Sequence, residues 1–213
     1  MSGSEPPGGA LIAVLDYGIG NLRSAQKALQ HVGADARLTA DPAVVREAVA
    51  VVLPGVGSFG RCMEAMRATG LDVVAREAIE RGTPFLGICV GMQMLYTGSE
   101  EAPGVPGLGV LEGQVRLLPE GVKRPQMQWN VLDVVHPAAM FASLDDPIWM
   151  YFVHSYAAET DRGVVATCDY GGPVVAAVQS DHVWATQFHP EKSGAAGLAV
   201  LRNFVGVAVR GGA

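Results

Sequence analysis

Apolar residues recur along this chain in two rhythms. Up to about residue 98, short unbroken runs alternate with stretches in helical spacing. Leu11-Ile12-Ala13-Val14-Leu15 is too short for a helix and predicts a buried strand. Leu22, Ala25, Leu29 and Val32 then fall on one helical face, which Gly33 ends. Residues 34–38 predict a second strand, Asp41-Pro42 caps a short helix over 43–48, and 49–53 is a third strand. A helical region follows over 61–80, broken near Gly70, and then Pro84-Phe85-Leu86-Gly87-Ile88-Cys89 forms a fourth strand. Strands alternating with helices in this way predict a parallel sheet covered by helices on both faces.

Beyond Gly98 the rhythm shortens. Runs with strand character at 113–118, 129–135, 148–153, 164–169, 174–179 and 183–188 are divided by turn signals such as Tyr170-Gly171-Gly172-Pro173 and Ser180-Asp181-His182. They predict hairpins, either extending the sheet or forming a second, smaller antiparallel one. A closing helix covers 193–209 with Ser193 as its N-cap. The expected fold is therefore α/β, three-layer, with a mostly parallel central sheet flanked by helices and additional antiparallel strands in the second half. Residues 1–10, rich in Gly, Pro and Ser, read as a disordered N-terminal tail ahead of a single domain over 11–213.

Composition removes several classes of function. With 49% hydrophobic and 17% charged residues, the 213-residue chain has the make-up of a soluble globular protein. Its net charge is −6 and no more than two basic residues adjoin, which argues against nucleic acid as a partner. No apolar stretch approaches the roughly 20 residues of a membrane span, and the first ten residues lack the basic start and apolar core of a signal peptide. A cytoplasmic protein with no membrane association is expected. Cys62, Cys89 and Cys168 lie far apart without metal-ligand spacing, so neither a metal nor another cofactor is indicated.

The candidate chemistry sits where the fourth strand stops. Gly87-Ile88-Cys89-Val90-Gly91 is followed by helix formers, so strand, sharp turn and helix succeed one another. A Gly-x-Ser-x-Gly elbow exposes its nucleophile in that context, and here the central residue is a thiol. A cysteine at a helix N-terminus is favoured as thiolate, although most lone cysteines at strand ends are structural. Gly55-Val56-Gly57-Ser58-Phe59-Gly60 matches a dinucleotide fingerprint but follows the third strand instead of the first. Beside a nucleophile, such glycines instead let a backbone N–H turn toward a developing oxyanion. A thiol nucleophile also needs a base. His31, His136 and His182 occupy a helix end, a loop and a hairpin turn. His189-Pro190-Glu191, by contrast, closes a strand and sets an imidazole beside a carboxylate on a stiff loop.

Three blocks, Pro54-Gly55-Val56-Gly57, Gly87-Ile88-Cys89-Val90-Gly91-Met92-Gln93 and Gln187-Phe188-His189-Pro190-Glu191-Lys192-Ser193, together resemble the class I (triad) glutamine amidotransferases. Further blocks are similar to one branch of that family, the glutaminase subunits of imidazole glycerol phosphate synthases in histidine biosynthesis. They are Asp16-Tyr17-Gly18-Ile19-Gly20-Asn21, Gln128-Trp129-Asn130 and Tyr151-Phe152-Val153-His154-Ser155-Tyr156. Gln126 and Gln128 depart from it, since relatives commonly carry His and Gly there.

The resemblance implies that Cys89 attacks the side-chain amide of L-glutamine, with His189 as base and Glu191 orienting it. It implies oxyanion donors at Val90 and in the glycine loop (Val56 foremost, with Gly57), and glutamine held by Gln93 and the backbone of His154, Ser155 and Tyr156. It further implies that ammonia passes to a (β/α)8-barrel cyclase subunit in a heterodimer, with Asn21, Met127, Trp129 and Asn130 near the interface. Competing readings are a glutaminase serving pyridoxal phosphate or anthranilate synthesis, a catalytically silent binding subunit, and a stand-alone cysteine hydrolase acting on peptides.

Overall fold

A computed structural model describes residues 9–211. The first half runs β1 (Leu11–Leu15), α1 (Leu22–His31), β2 (Asp35–Thr39), α2 (Pro42–Glu47), β3 (Ala50–Gly55), α3 (Phe59–Thr69), α4 (Leu71–Glu80), β4 (Phe85–Cys89) and α5 (Val90–Met94). The second half adds β5 (Gln114–Leu117), β6 (Gln126–Val131), β7 (Asp133–Val134), β8 (Trp149–His154), β9 (Tyr156–Glu159), β10 (Val164–Asp169), β11 (Pro173–Ser180), β12 (Val183–Thr186) and α6 (Gly194–Gly211).

Eight strands form one sheet in the order β2-β1-β3-β4-β12-β11-β10-β7. The first five are mutually parallel, and β11, β10 and β7 complete the sheet in antiparallel pairing. Every residue of β3 and β4 is buried, as a parallel sheet covered on both faces requires. The helices that cover it form two groups, α1 packed with α6 and α4 packed with α2 and α3. The remaining strands pair as two antiparallel ribbons, β5 with β9 and β6 with β8. The late strands therefore do both things the sequence left open, extending the main sheet and building separate ribbons.

Helix boundaries follow local chemistry. Asp41 accepts a hydrogen bond from the Ala43 N–H at 2.8 Å, capping α2 as expected. Gly70, with φ of 71°, lets the chain stop α3 and start α4 at once. Ser193 is a correction. Its hydroxyl does not cap α6; it accepts from the Tyr151 N–H at 3.0 Å and donates to the His189 carbonyl at 2.6 Å. A buried hydroxyl between two elements has stronger claims on it than a helix end that water can reach. Residues 1–8 of the expected tail lie outside the described residues, while Ala10 already accepts a hydrogen bond from the Asp35 N–H.

The parallel register decides where chemistry gathers. Gly55 pairs with Cys89, and Thr186 pairs with Ile88. The C-terminal ends of β3, β4 and β12 are thus level, and the segments leaving them share one edge of the sheet. Open α/β sheets bind their ligands at that edge.

Candidate active site

Cys89 ends β4 with φ of 55° and ψ of −113°, a backbone geometry that costs a non-glycine residue of order 1–3 kcal/mol. The strain is held by close packing on both sides. A Cβ on Gly55 would lie 2.6 Å from the Gly91 nitrogen, and a Cβ on Gly91 would overlap the Leu53 carbonyl oxygen. The elbow therefore folds only because both positions lack a side chain.

Cys89, 3% exposed, and His189, 1% exposed, line the same cavity of about 420 Å³. That volume suits a small metabolite. His189 lies three residues beyond the end of β12, and the register of β12 on β4 carries it to the thiol. Behind the ring, Nδ1 meets Glu191 Oε1 at 2.8 Å, with the carboxylate itself buried. Among the described residues Nε2 has no hydrogen-bond partner. Burial pushes His189 toward the neutral form, but Cys89 and Glu191 together outweigh it and raise its pKa to about 9. The arrangement is a thiol, an imidazole and a carboxylate in sequence, as nucleophilic catalysis requires.

The other expected site residues fall into two sets. Val56, Gly57, Val90, Gln93, His154, Ser155, Tyr156 and Asn21 all line the Cys89 cavity. Met127, Trp129 and Asn130 do not; they lie on β6, where Met127 and Trp129 are exposed. Asn130 is partly tied down, donating to the Asp169 carbonyl at 2.9 Å.

Several contacts refine the expected roles. Both donors of the Gln93 amide are spent on the protein, at 2.8 Å to the Tyr156 carbonyl and 3.1 Å to Gln187 Oε1. The Tyr156 carbonyl also faces His154 Nδ1 at 2.9 Å. A carbonyl only accepts, so Nδ1 carries the proton and Nε2 is a buried acceptor without a partner among the described residues. Burial and the nearby His189 hold His154 down at about 4, against a smaller upward pull from the Tyr156 carbonyl, so its ring is neutral at pH 7. Ser155 and Tyr156 line the wall with their carbonyls already engaged by the protein, that of Ser155 accepting from the Leu118 N–H at 2.9 Å.

Three polar or charged residues at the site had no role assigned from the sequence. Gln187 is fully buried, and its Nε2 lies 3.7 Å from the Cys89 sulfur. Its signal was available, because residues two apart at a strand end share a face and Gln187 precedes His189 by two. Glu101 and Lys192 also line the cavity and bring one charge of each sign to it. Glu101 lies in a loop with no periodicity, so nothing in the pattern pointed to it.

The family model "Glutamine amidotransferase class-I" matches residues 13–207. The imidazole glycerol phosphate synthase subunit HisH of Methanothermobacter thermautotrophicus is 50% identical over 196 residues, covering 92% of this chain and 98% of that protein. The subunit of the same name from Acinetobacter baylyi is 48% identical over 201 residues, covering 91% and 97%. Among solved structures, a glutamine amidotransferase superposes with a TM-score of 0.75 at 24% identity, covering 93% of this chain and 98% of that one. PurLQS from Thermotoga maritima gives 0.74 at 22%, covering 93% and 99%. At those identities the two structures speak to the fold alone.

Proposed function

The chain belongs to the class I glutamine amidotransferases, and we propose that it works as the glutaminase subunit of an imidazole glycerol phosphate synthase in histidine biosynthesis. It hydrolyses L-glutamine to glutamate and ammonia. The observation that carries the reading is the shared cavity of Cys89 and His189, with Glu191 2.8 Å behind the ring.

In the proposed reaction the Cys89 thiolate attacks the side-chain carboxamide carbon. Negative charge gathers on the amide oxygen, where the Val90 N–H and an N–H of the Val56–Gly57 segment receive it. His189, protonated at neutral pH, gives its proton to the amide nitrogen, and ammonia leaves a γ-glutamyl thioester behind. The neutral ring then takes a proton from water, hydroxide attacks the thioester, and glutamate departs, leaving the Cys89 sulfur free and the ring protonated again. Glu191 holds the ring's orientation and balances its charge. Glu101 and Lys192 offer opposite charges to the α-ammonium and α-carboxylate groups of the substrate.

Free ammonia would be lost to solvent, so we assign the exposed β6 face bearing Met127, Trp129 and Asn130 as the docking surface for the (β/α)8-barrel cyclase subunit, with Asn21 at the cavity rim. Among the described residues no helix is long and apolar enough to cross a membrane, and the three cysteines are unpaired thiols, which suits the reducing cytoplasm we assign to the protein.

The test is glutamine hydrolysis with and without the cognate cyclase subunit, in the wild type and in Cys89→Ala. Ammonia release should vanish in the variant, while synthesis from added ammonium salts persists in the complex. Undiminished release would overturn the assignment of the nucleophile.

A further inference from the structure

Two buried residues beneath the glycine loop have no part in the mechanism above, yet both hold that loop. Tyr17, 2% exposed, donates its hydroxyl hydrogen to the Pro54 carbonyl at 2.7 Å. Cys62, fully buried on α3, directs its thiol to the Val56 carbonyl at 3.4 Å. At the far end of the loop, Glu101 accepts from the Phe59 N–H at 2.7 Å. Side chains from three separate segments therefore hold backbone groups at the end of β3, in the loop and at the start of α3.

The Cys62 contact has a geometric consequence. In a trans peptide the C=O and the following N–H point in opposite directions. With the Val56 carbonyl turned down onto the thiol, the Gly57 N–H points to the other side of the loop, where Gly57 lines the cavity with Cys89. Gly57 has φ of 92°, which only glycine holds without strain, so the peptide is set in place by the residue type on one side and by the thiol on the other.

We propose that Cys62 is a positioning residue for the glutaminase reaction: its thiol locks the Val56–Gly57 peptide so that the loop presents an N–H to the oxyanion formed at Cys89. The proposal rests on the glutaminase reading. Burial pushes the Cys62 thiol up, against a smaller downward pull from Tyr17, so the group stays protonated and remains a donor at neutral pH. A cysteine serving only to fill space beside the sheet would be indifferent to loss of that donor.

The experiment compares the wild type, Cys62→Ala and Cys62→Ser in complex with the cognate cyclase subunit. Two quantities are read: kcat and KM for glutamine, and the rate at which iodoacetamide alkylates Cys89, followed by mass spectrometry. Alkylation displaces iodide and forms no oxyanion. Losing a whole oxyanion donor lowers turnover by ~10²–10³, so a misaimed one in Cys62→Ala should lower kcat by roughly 10- to 100-fold with little change in KM. Cys62→Ser, which keeps a donor at that position, should recover most of the loss, and Cys89 alkylation should be alike in all three. Wild-type kcat in Cys62→Ala, an equal fall in both variants, or alkylation slowing in step with kcat would each overturn the proposal. A wild-type complex inactive on glutamine would instead overturn the reading beneath it.

Discussion

Burial alone would discharge His189; Cys89 and Glu191 reverse that and lift the ring to about 9, while His154 in the same cavity wall is held at about 4. The two imidazoles thus divide the work, one charged at pH 7 and able to give a proton, the other neutral and spent on the wall. The sign of the pH dependence follows. The protonated ring persists up to about pH 9, so ammonia release that depends on it should hold to that region and decline above it. Glu191→Gln removes one of the influences that raise the ring, so the alkaline limb of kcat against pH should move to lower pH as the maximum rate falls. A limb that stays in place would separate Glu191 from the protonation of His189. By linkage, the raised ring adds stability that is complete below about pH 6.5 and lost as pH rises through about 9. At this scale the sequence was legible where residues stand close along the chain, as His189 and Glu191 do. Glu101 was not, because a loop residue shows its partner only after the fold brings α3 to it.

Among the elements, the elbow carries the sharpest constraint. β3, β4 and α5 meet so closely at Gly55 and Gly91 that a methyl group at Gly91 would enter the Leu53 carbonyl. Backbone cannot give way as a flexible side chain does, so Gly91→Ala should cost at least the ~1–3 kcal/mol typical of overpacking, read as a lowered midpoint in chemical denaturation. It should also reduce Cys89 alkylation, since relief comes only by shifting the strained turn. An unaltered midpoint would mean that the strands separate more easily than their full burial implies. The repeating βα units were readable because each has its own period and its own stop signal, and the structure keeps their order with shifts of a residue or two at the ends. The late strands were less so. β9 was missed because the chain stays extended through Ser155, passing from pairing with β6 to pairing with β5 without a turn residue to mark the change. Ser193 fits a capping pattern, and only the tertiary packing of β8 and His189 reveals that its hydroxyl is needed elsewhere.

For the molecule as a whole, the site exists because β12, the last strand among the described residues, inserts beside β4 in the middle of the sheet. No local pattern encodes that order, and the meeting of residues 89 and 189 depends on it. The same assembly leaves the β6–β8 ribbon with large side chains in water: Met127 is 62% exposed, Trp129 47% and Trp149 48%, with Trp129 stacked edge-on to Tyr151 at 6.1 Å. Exposed aromatics fixed on a rigid ribbon are the residue type that dominates binding energy at protein interfaces, where truncating a central one costs at least about 2 kcal/mol. Trp129→Ala should therefore weaken association with the cyclase subunit by roughly 30-fold, measured as Kd by titration calorimetry. Ammonia release at saturating cyclase should approach the wild-type rate, because the substitution removes contact area on a face that does not line the cavity of Cys89 and His189. If Kd is unchanged, this face does not carry the partner. If Kd changes and saturation fails to restore the rate, Trp129 also transmits the partner's influence to the cavity, a path for which Gly194 is the nearest candidate, since its Cβ position lies 4.0 Å from the Trp129 ring at the start of α6, directly after the loop that holds His189.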